Sequence, residues 1–513
     1  MDAPQHDIVV VSDLHLGRGL NPNTRRYFRL EAFFYDDDFE QFCKWLVEDA
    51  DTRRTSFKLV FNGDTFDLLR IEPEEPQPGA SMSIRRYGPL ITPATAAYTM
   101  ADILEGHPNF VRGVARVLAA GHRVVFLPGN HDRETQWQPV QNCVRRNILK
   151  AVRGLGGEQA DVDRASERLL FEPWFHHEPG RIWIEHGNQY DPDNAFECHL
   201  RSNVDREALP QTEQDSPIGS FFQRYLYNQF GSITFIVPSG RANVRYFRWL
   251  LINKPRLLAR VATSHFPYFI QVLRRIAKSG GKIDRLKAQH DAELDALAES
   301  SKLGDTLHEI DKLKVVRGGA AVFGKGIVRR VLKVAGMFVL LTILMAGLWS
   351  AGSTSINQID AGVGLKAGLF LSLTLIFLVL VMSGIAFLLL RPATGPPNQP
   401  LHRAARFIGS SLNVPIVTFG HTHDEVVFPV DDDKTGKDDP VKQWYFNTGT
   451  WIAVFTHDQL LPRERVQYTF LRVRGNDAQL LYWSPGRRQA VPVVLIEDLD
   501  RFGSARPTDA HAD

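Results

Sequence analysis

Five short apolar, β-rich runs each end on a polar box. Residues 8–11 lead into Asp13-Leu14-His15, 57–61 into Gly63-Asp64, and 124–127 into Gly129-Asn130-His131-Asp132. Residues 182–184 lead into Glu185-His186-Gly187-Asn188, and 416–419 into Gly420-His421-Thr422-His423. Runs of this length and composition predict strands of a sheet covered on both faces. Between them, apolar positions recur at helical spacing. Phe39, Phe42, Cys43, Leu46 and Val47 follow Asp36 to Asp38, which favour a helix start, and Phe110, Val114, Val117 and Leu118 form a second stripe closed by Gly121. Alternating strands and helices predict an α/β fold, and open α/β sheets gather ligands beyond the carboxyl ends of their strands, so the five boxes are expected on one rim.

The pattern breaks between His186 and His421, where more than 230 residues intervene. Residues 241–282 carry ten Lys or Arg and no Asp or Glu, interleaved with aromatic and aliphatic positions. Such a stretch reads as interfacial helices on an anionic membrane surface, with nucleic acid as the rival partner. Two charge-free runs follow, 18 residues at 334–351 and 24 at 367–390, against about 20 for a spanning helix. They predict a transmembrane hairpin with its turn at 352–366; a buried hairpin in a soluble core is the plain alternative. An even number of crossings also keeps His421 and His423 on the same side as the earlier boxes. Lys325, Arg329, Arg330, Lys333, Arg391 and Arg403 flank the hairpin and its loop has only Lys366, which points the flanks toward the cytoplasm. The charge-rich stretch 283–316 reads as an amphipathic helix, either coiled or solvated. Residues 73–93 read as an irregular loop, 431–439 as a solvated loop before a strand containing Tyr445-Phe446-Asn447, and the last dozen residues as disordered.

Composition adds little. A chain of 513 residues exceeds one ordinary domain, and a net charge of +2 conceals the local segregation just described. Cys43, Cys143 and Cys198 are widely spaced, suggesting neither a disulfide framework nor a structural zinc site, in keeping with a reducing compartment. The first strand follows Met1 almost directly, so a cleaved export signal is not expected.

The boxes themselves supply carboxylates, imidazoles and an amide oxygen without thiolate, a set suited to manganese, iron, zinc or magnesium. Asp13 and His15 are two apart, as are His421 and His423, so each pair faces one side if its strand continues. Asp13, His15, Asp64, Asn130, His186, His421 and His423 are too many donors for one four-coordinate ion, and they fit two ions sharing a carboxylate. Any one of these residues taken alone reads as a turn former, a helix cap or a structural histidine; their order and strand context carry the metal reading. Asp67, Asn188, Tyr190, Asp191, Asp193 and Asn194 are candidates to orient ligands or contact substrate, or else form ordinary turns.

Taken together, D-x-H, G-D, G-N-H-D, H-G and G-H-T-H in this order resemble the calcineurin-like metallophosphoesterase family, over roughly residues 7–200 and 401–490. The resemblance implies a β-sandwich flanked by helices. It also implies one ion, manganese first, on Asp13, His15, Asp64 and His423, and a second on Asp64, Asn130, His186 and His421. Metal-activated water would be the nucleophile, with His131 as proton donor and Asp132 orienting its imidazole. The chain further resembles the branch containing UDP-2,3-diacylglucosamine hydrolase, whose insertion grips lipid. It departs from that branch in having His131 where the branch carries Arg, and in its longer insertion.

These readings divide the chain into a first catalytic part (1–200), a basic and amphipathic insertion (201–330), the hairpin (331–391), a second catalytic part (401–495) and a tail (496–513). They predict a membrane-anchored hydrolase of a phosphodiester or pyrophosphate, with a lipid-linked phosphoester as substrate, membrane lipid as partner and the catalytic part facing the cytoplasm at the inner or plasma membrane. The alternatives are a broad-specificity or nucleotide phosphodiesterase and a catalytically silent scaffold. Substrate and oligomeric state stay open.

Overall fold

A computed structural model describes residues 6–70, 91–201, 283–316, 349–390, 398–430, 443–455 and 466–493, with shorter stretches within 215–263 and at 346–347. Residues 73–90 of the expected loop, most of the basic run 241–282, most of the first charge-free run 334–351, the stretch 431–439 and the tail lie outside these residues, whereas the loop's last residues, Thr92 and Pro93, cap and begin the helix Pro93–Gly106.

The strands are β1 (Asp7–Val11), β2 (Phe57–Asn62), β3 (Arg123–Leu127), β4 (Leu169–Phe171), β5 (Phe175–Glu178), β6 (Ile182–Glu185), β7 (Phe235–Ile236), β8 (Ile416–Phe419), β9 (Glu425–Pro429), β10 (Trp444–Thr448), β11 (Val454–Phe455), β12 (Thr469–Arg474), β13 (Asp477–Ser484) and β14 (Gln489–Pro492). They build an α/β structure with two mixed sheets, ordered β14-β13-β12-β1-β2-β3-β4 and β5-β6-β8-β10-β9, besides the parallel pair β7 and β11. The α/β class expected from the chain holds, and its strands fall into two sheets. β1, β2 and β3 run parallel in the first sheet, whereas β6 and β8 run parallel in the second with β10 beside them.

Burial on both faces explains the unbroken apolar runs. Within β1, Ile8 and Val10 face inward with Val60, Val125, Ile184, Ile416 and Phe446, so residues of both sheets share one inner core. Val9 and Val11 face the other way, against Phe39 and Phe42 of the helix Asp36–Arg53, Met100 of Pro93–Gly106 and Val114 of Pro108–Ala119. The period-two alternation of a strand thus serves two apolar layers. On the outer face of the second sheet, Trp183, Val417 and Phe419 meet Ala405 and Ile408 of the helix Asn398–Leu412. Leu294, Leu307 and Ile310, from Ile283–Ser300 and Asp305–Asp311, join the same layer, so the charge-rich stretch packs as a covering helix pair and is neither coiled nor merely solvated.

These layers belong to a compact unit of Met1–Gly318 and Pro396–Asp513; Gly319–Gly395 forms a second unit. The second contains the helix Val363–Leu390. Residues 351–358 are also helical, so the turn is shorter than the expected 352–366. The two helical stretches lie side by side: a Cβ on Gly352 would sit 2.9 Å from Leu373, and Trp349 Nε1 donates to Thr374 Oγ1 at 3.5 Å. Among the described residues no helix is long and apolar enough to cross a membrane; the side chains of 378–390 lie outside them. What the described residues establish within 349–390 is a pair of helical stretches side by side, not a membrane crossing.

Candidate metal centre

Strand alternation does not place the ligand pairs. β1 stops at Val11, and Asp13 and His15 then adopt left-handed backbone angles, φ 54° and 49°. Asp64 (47°), His421 (71°) and His423 (57°) do the same. Of eleven described non-glycine residues with positive φ, five belong to this set, which concentrates backbone strain at the rim. Such residues cost about 1–3 kcal/mol each and persist where surrounding contacts over-determine them. Here the contacts run between boxes. Asp13 N–H donates to Gly63 O at 3.2 Å, His15 N–H to Asp64 O at 2.9 Å, His421 N–H to Asp13 Oδ2 at 2.9 Å and His131 N–H to Asp64 Oδ1 at 2.7 Å.

Two glycines are needed because the ligands crowd them. A Cβ on Gly129 would lie 2.2 Å from Asp64 Oδ1, and one on Gly63, at φ 76°, would lie 2.5 Å from the His186 ring.

Three overlapping groups result, in each of which one candidate ligand atom per residue lies within 4.8 Å of the others: Asp13, His15 and His423; His15, Asp64 and His131; Asp64, His186 and His421. His15 Nε2 and His423 Nε2 approach to 3.0 Å, with Asp13 Oδ1 3.2 Å from the latter. His186 Nε2 lies 3.2 Å from Asp64 Oδ2, while its Nδ1 donates to Asn62 O at 2.8 Å and so leaves Nε2 as the lone-pair nitrogen in the neutral ring. His421 Nε2 faces Asp191 Oδ2 at 2.9 Å, which leaves Nδ1 as its ligand atom. Asn130 is buried and its Oδ1 has no hydrogen-bond partner. An orphaned amide oxygen, inward carboxylates and oriented imidazoles are the donor set a pair of divalent ions requires, so the residues fit such a pair.

The charges agree. Burial raises the carboxyl groups of Asp13, Asp64 and Asp67, but the surrounding imidazoles outweigh it and hold all three below the usual carboxylate range. Burial pushes His15 down to about 4, leaving it neutral and able to ligate. His186 is raised to about 10 against its burial by Asp64 and Asp13, a sign that the carboxylates draw positive charge into this pocket.

His131 reaches the same group, its ring centroid 4.6 Å from that of His15. The expectation that Asp132 orients it is corrected. Asp132 instead accepts the backbone N–H groups of Gly129 (2.6 Å), Asp64 (3.2 Å), Thr65 (2.8 Å) and Phe66 (3.1 Å), tying the second box to the third. Asp67 holds His131, Oδ1 to Nδ1 at 2.9 Å, and lies 3.4 Å from His15 Nδ1. Burial lowers His131, yet Asp67 and Asp64 bring it up to about 9; nearby divalent ions would pull it down again. Asp191 also accepts from Asp193 N–H and Asn194 Nδ2. Asn188 donates to Asn194 O at 3.1 Å and lines an adjoining cleft, whereas Tyr190 is buried in the outer core, 5.4 Å from Phe419.

Three supporting residues escaped sequence reasoning. Asn447 Nδ2 donates to Gly420 O at 2.6 Å, Thr450 Oγ1 to Asp13 O at 2.7 Å, and Thr448 Oγ1 meets Ser12 Oγ at 2.6 Å. The signal was present: β10 is a further apolar run ending in polar residues and glycine, Asn447-Thr448-Gly449-Thr450. A fourth group of possible metal-holding residues, His199, His290 and Asp311, was not anticipated either; the Lys314 ammonium lies 2.8 Å from Asp311 and 3.2 Å from His290.

Set against known proteins, the chain matches no family model and no curated sequence.

Proposed function

We propose that this chain is a metal-dependent phosphoesterase of the calcineurin-like type, hydrolysing a phosphodiester or pyrophosphate with two divalent ions, manganese foremost. The observation that carries the reading is the double membership of Asp64, whose carboxylate belongs both to the group with His15 and to the group with His186 and His421. A shared carboxylate is what a two-ion site demands. When bound, such ions supply charge neutralisation at the phosphoryl oxygens and lower the pKa of a water.

The chain's own residues do the rest. Asp13, His15, Asp64 and His423 would hold one ion, and Asp64, Asn130, His186 and His421 the other. Asp67 engages His131 Nδ1, which leaves Nε2 to carry a proton toward the leaving oxygen or to stabilise charge on the phosphoryl group. Asp191 and the Asn62 carbonyl fix the rings of His421 and His186.

The same proposal anchors the enzyme in a membrane by its hairpin, with the catalytic unit on the cytoplasmic side and a lipid-linked substrate. Support comes from the 24-residue charge-free run within the helix Val363–Leu390, which spans about 42 Å at 1.5 Å per residue. Exposed apolar side chains at Val363, Leu365, Leu371, Leu375 and Ile376 add to it.

Detergent-purified protein, assayed with and without manganese on p-nitrophenyl phosphate, bis(p-nitrophenyl) phosphate and UDP-2,3-diacylglucosamine, tests the reading. Manganese-dependent cleavage of a diester or pyrophosphate, abolished by chelator, is expected. Two bound metals with no cleavage of any of the three would favour a silent scaffold.

A further inference from the structure

Just past the candidate ligand His15 the chain makes a small turn before it returns to the core at Leu30. Residues 17–30 carry four arginines and no Asp or Glu. Leu20 and Tyr27 pair across the turn as antiparallel partners, which puts their side chains on one face, and they are 38 % and 43 % exposed. Two of the arginines serve the scaffold. Arg18 Nη2 pairs with Asp102 Oδ2 at 2.8 Å, and Arg29 Nη2 donates to Asn228 O at 3.3 Å. Arg25 and Arg26 are exposed, and neither enters an ion pair among the described residues.

The turn is held in shape from both ends. At its base the buried Glu31 carboxylate accepts the N–H groups of Gly17 and Gly19, and Leu20 N–H donates to Gly106 O at 3.3 Å. At its tip Asn21 Oδ1 accepts from Asn23 N–H at 2.9 Å and Thr24 N–H at 3.0 Å, while Asn21 N–H donates to Arg26 O and Arg25 N–H to Asn21 O, both at 2.9 Å. A surface fixed in this way loses little conformational freedom when something docks on it.

We propose that this turn is a lipid contact on the catalytic unit: Leu20 and Tyr27 enter the headgroup layer of an anionic membrane, and Arg25 and Arg26 meet the lipid phosphates. The pairing of unopposed positive charge with an exposed aliphatic and aromatic face carries the choice, because tyrosine and apolar tips suit the membrane interface and the arginines suit its negative surface. Nucleic acid would reward the arginines and leave Leu20 unused. The contact belongs to residues 20–27 alone and does not depend on whether 331–391 crosses a bilayer. A merely solvated turn is the competing account.

Cys43, Cys143 and Cys198 are buried, so Thr24→Cys at the exposed tip offers one accessible thiol for a fluorophore. The labelled full chain is mixed with vesicles carrying nitroxide-tagged lipid, made of phosphatidylcholine alone or with about 30 % phosphatidylglycerol. Quenching should be about twofold or more stronger with the anionic vesicles, and it should weaken toward the neutral level in about 0.5 M NaCl. R25E/R26E should lose the difference between the two vesicles, and L20S/Y27S should reduce quenching in both, each at an unchanged thermal midpoint. Equal quenching with both vesicles in the parent, or a wild-type difference in R25E/R26E, overturns the proposal. Loss of binding to a short single-stranded RNA in R25E/R26E with quenching unaltered would assign the turn to nucleic acid instead and overturn it as well.

Discussion

Asp67 Oδ1 sits 2.9 Å from His131 Nδ1, although Asp132 is the carboxylate adjacent in sequence. The division of labour between the two acids follows from where their donors are. Asp132 is consumed by four backbone amides, and Asp67 faces imidazoles. Asp67→Asn should therefore lower kcat by about a hundredfold, the lower range of general acid–base contributions, and reshape the pH–rate profile. Asp132→Asn should lower the thermal midpoint as its main effect. Equal thermal losses with unchanged pH profiles in both variants would remove Asp67 from the proton-handling role.

Close approach at the second and third boxes supplies another test. Gly129→Ala would bring a methyl group to about 2.2 Å from Asp64 Oδ1 and 2.5 Å from the Asp64 backbone N, so turning the carboxylate aside does not clear it. Metal content and hydrolysis should fall together in this variant while Gly486→Ala, where a Cβ meets nothing within 4 Å, changes neither. Full metal loading of Gly129→Ala would mean that Asp64 is not a ligand.

His107 offers a prediction on stability alone. It is fully buried between Asp36 (3.0 Å) and Glu31 (3.4 Å), which raise it against burial to about 10 from 6.5. A raised histidine stabilises fully below its unfolded value and loses that contribution as pH climbs through the folded one. Denaturant titrations should find His107→Gln far less stable than wild type at pH 6, with the gap shrinking progressively toward pH 10. A gap that does not change with pH would show that His107 is neutral in the fold.

The hairpin can be tested apart from catalysis. Deleting 331–391 should release the chain from membrane pellets washed in alkaline carbonate, and a tag inserted at 359–362 should resist protease added from the cytoplasmic side. Unchanged membrane association after deletion, or a tag cut from the cytoplasmic side, would contradict the anchoring or its orientation.

Much of the candidate site could be read from the chain because its ligands follow strand ends, and apolar runs mark strand ends directly. All five runs are strands, and six of the seven candidate ligands, Asp13, His15, Asp64, His186, His421 and His423, fall in the overlapping groups, while Asn130 sits between Gly129 and His131, which both approach Asp64. What escaped is what depends on tertiary pairing. Nothing local tells that β6 and β8 leave the sheet of β1, since both kinds of strand are buried on two faces and look alike. The two-apart spacing of Asp13 and His15 suggested a continuing strand, whereas left-handed turns do the work. Asp132 misled because adjacency is not proximity once the chain turns. Asn447 and Thr450 lie 24 and 27 residues beyond His423, too far for box spacing to tie them to the fifth box.

The central claim is a pair of ions joined by Asp64. Elemental analysis of purified wild type beside Asp64→Ala, with hydrolysis of bis(p-nitrophenyl) phosphate followed on the same samples, tests it most directly. About two divalent ions per chain are expected in wild type, with metal and activity both lost from the variant. Asp64→Ala that keeps two ions and full activity would contradict the account.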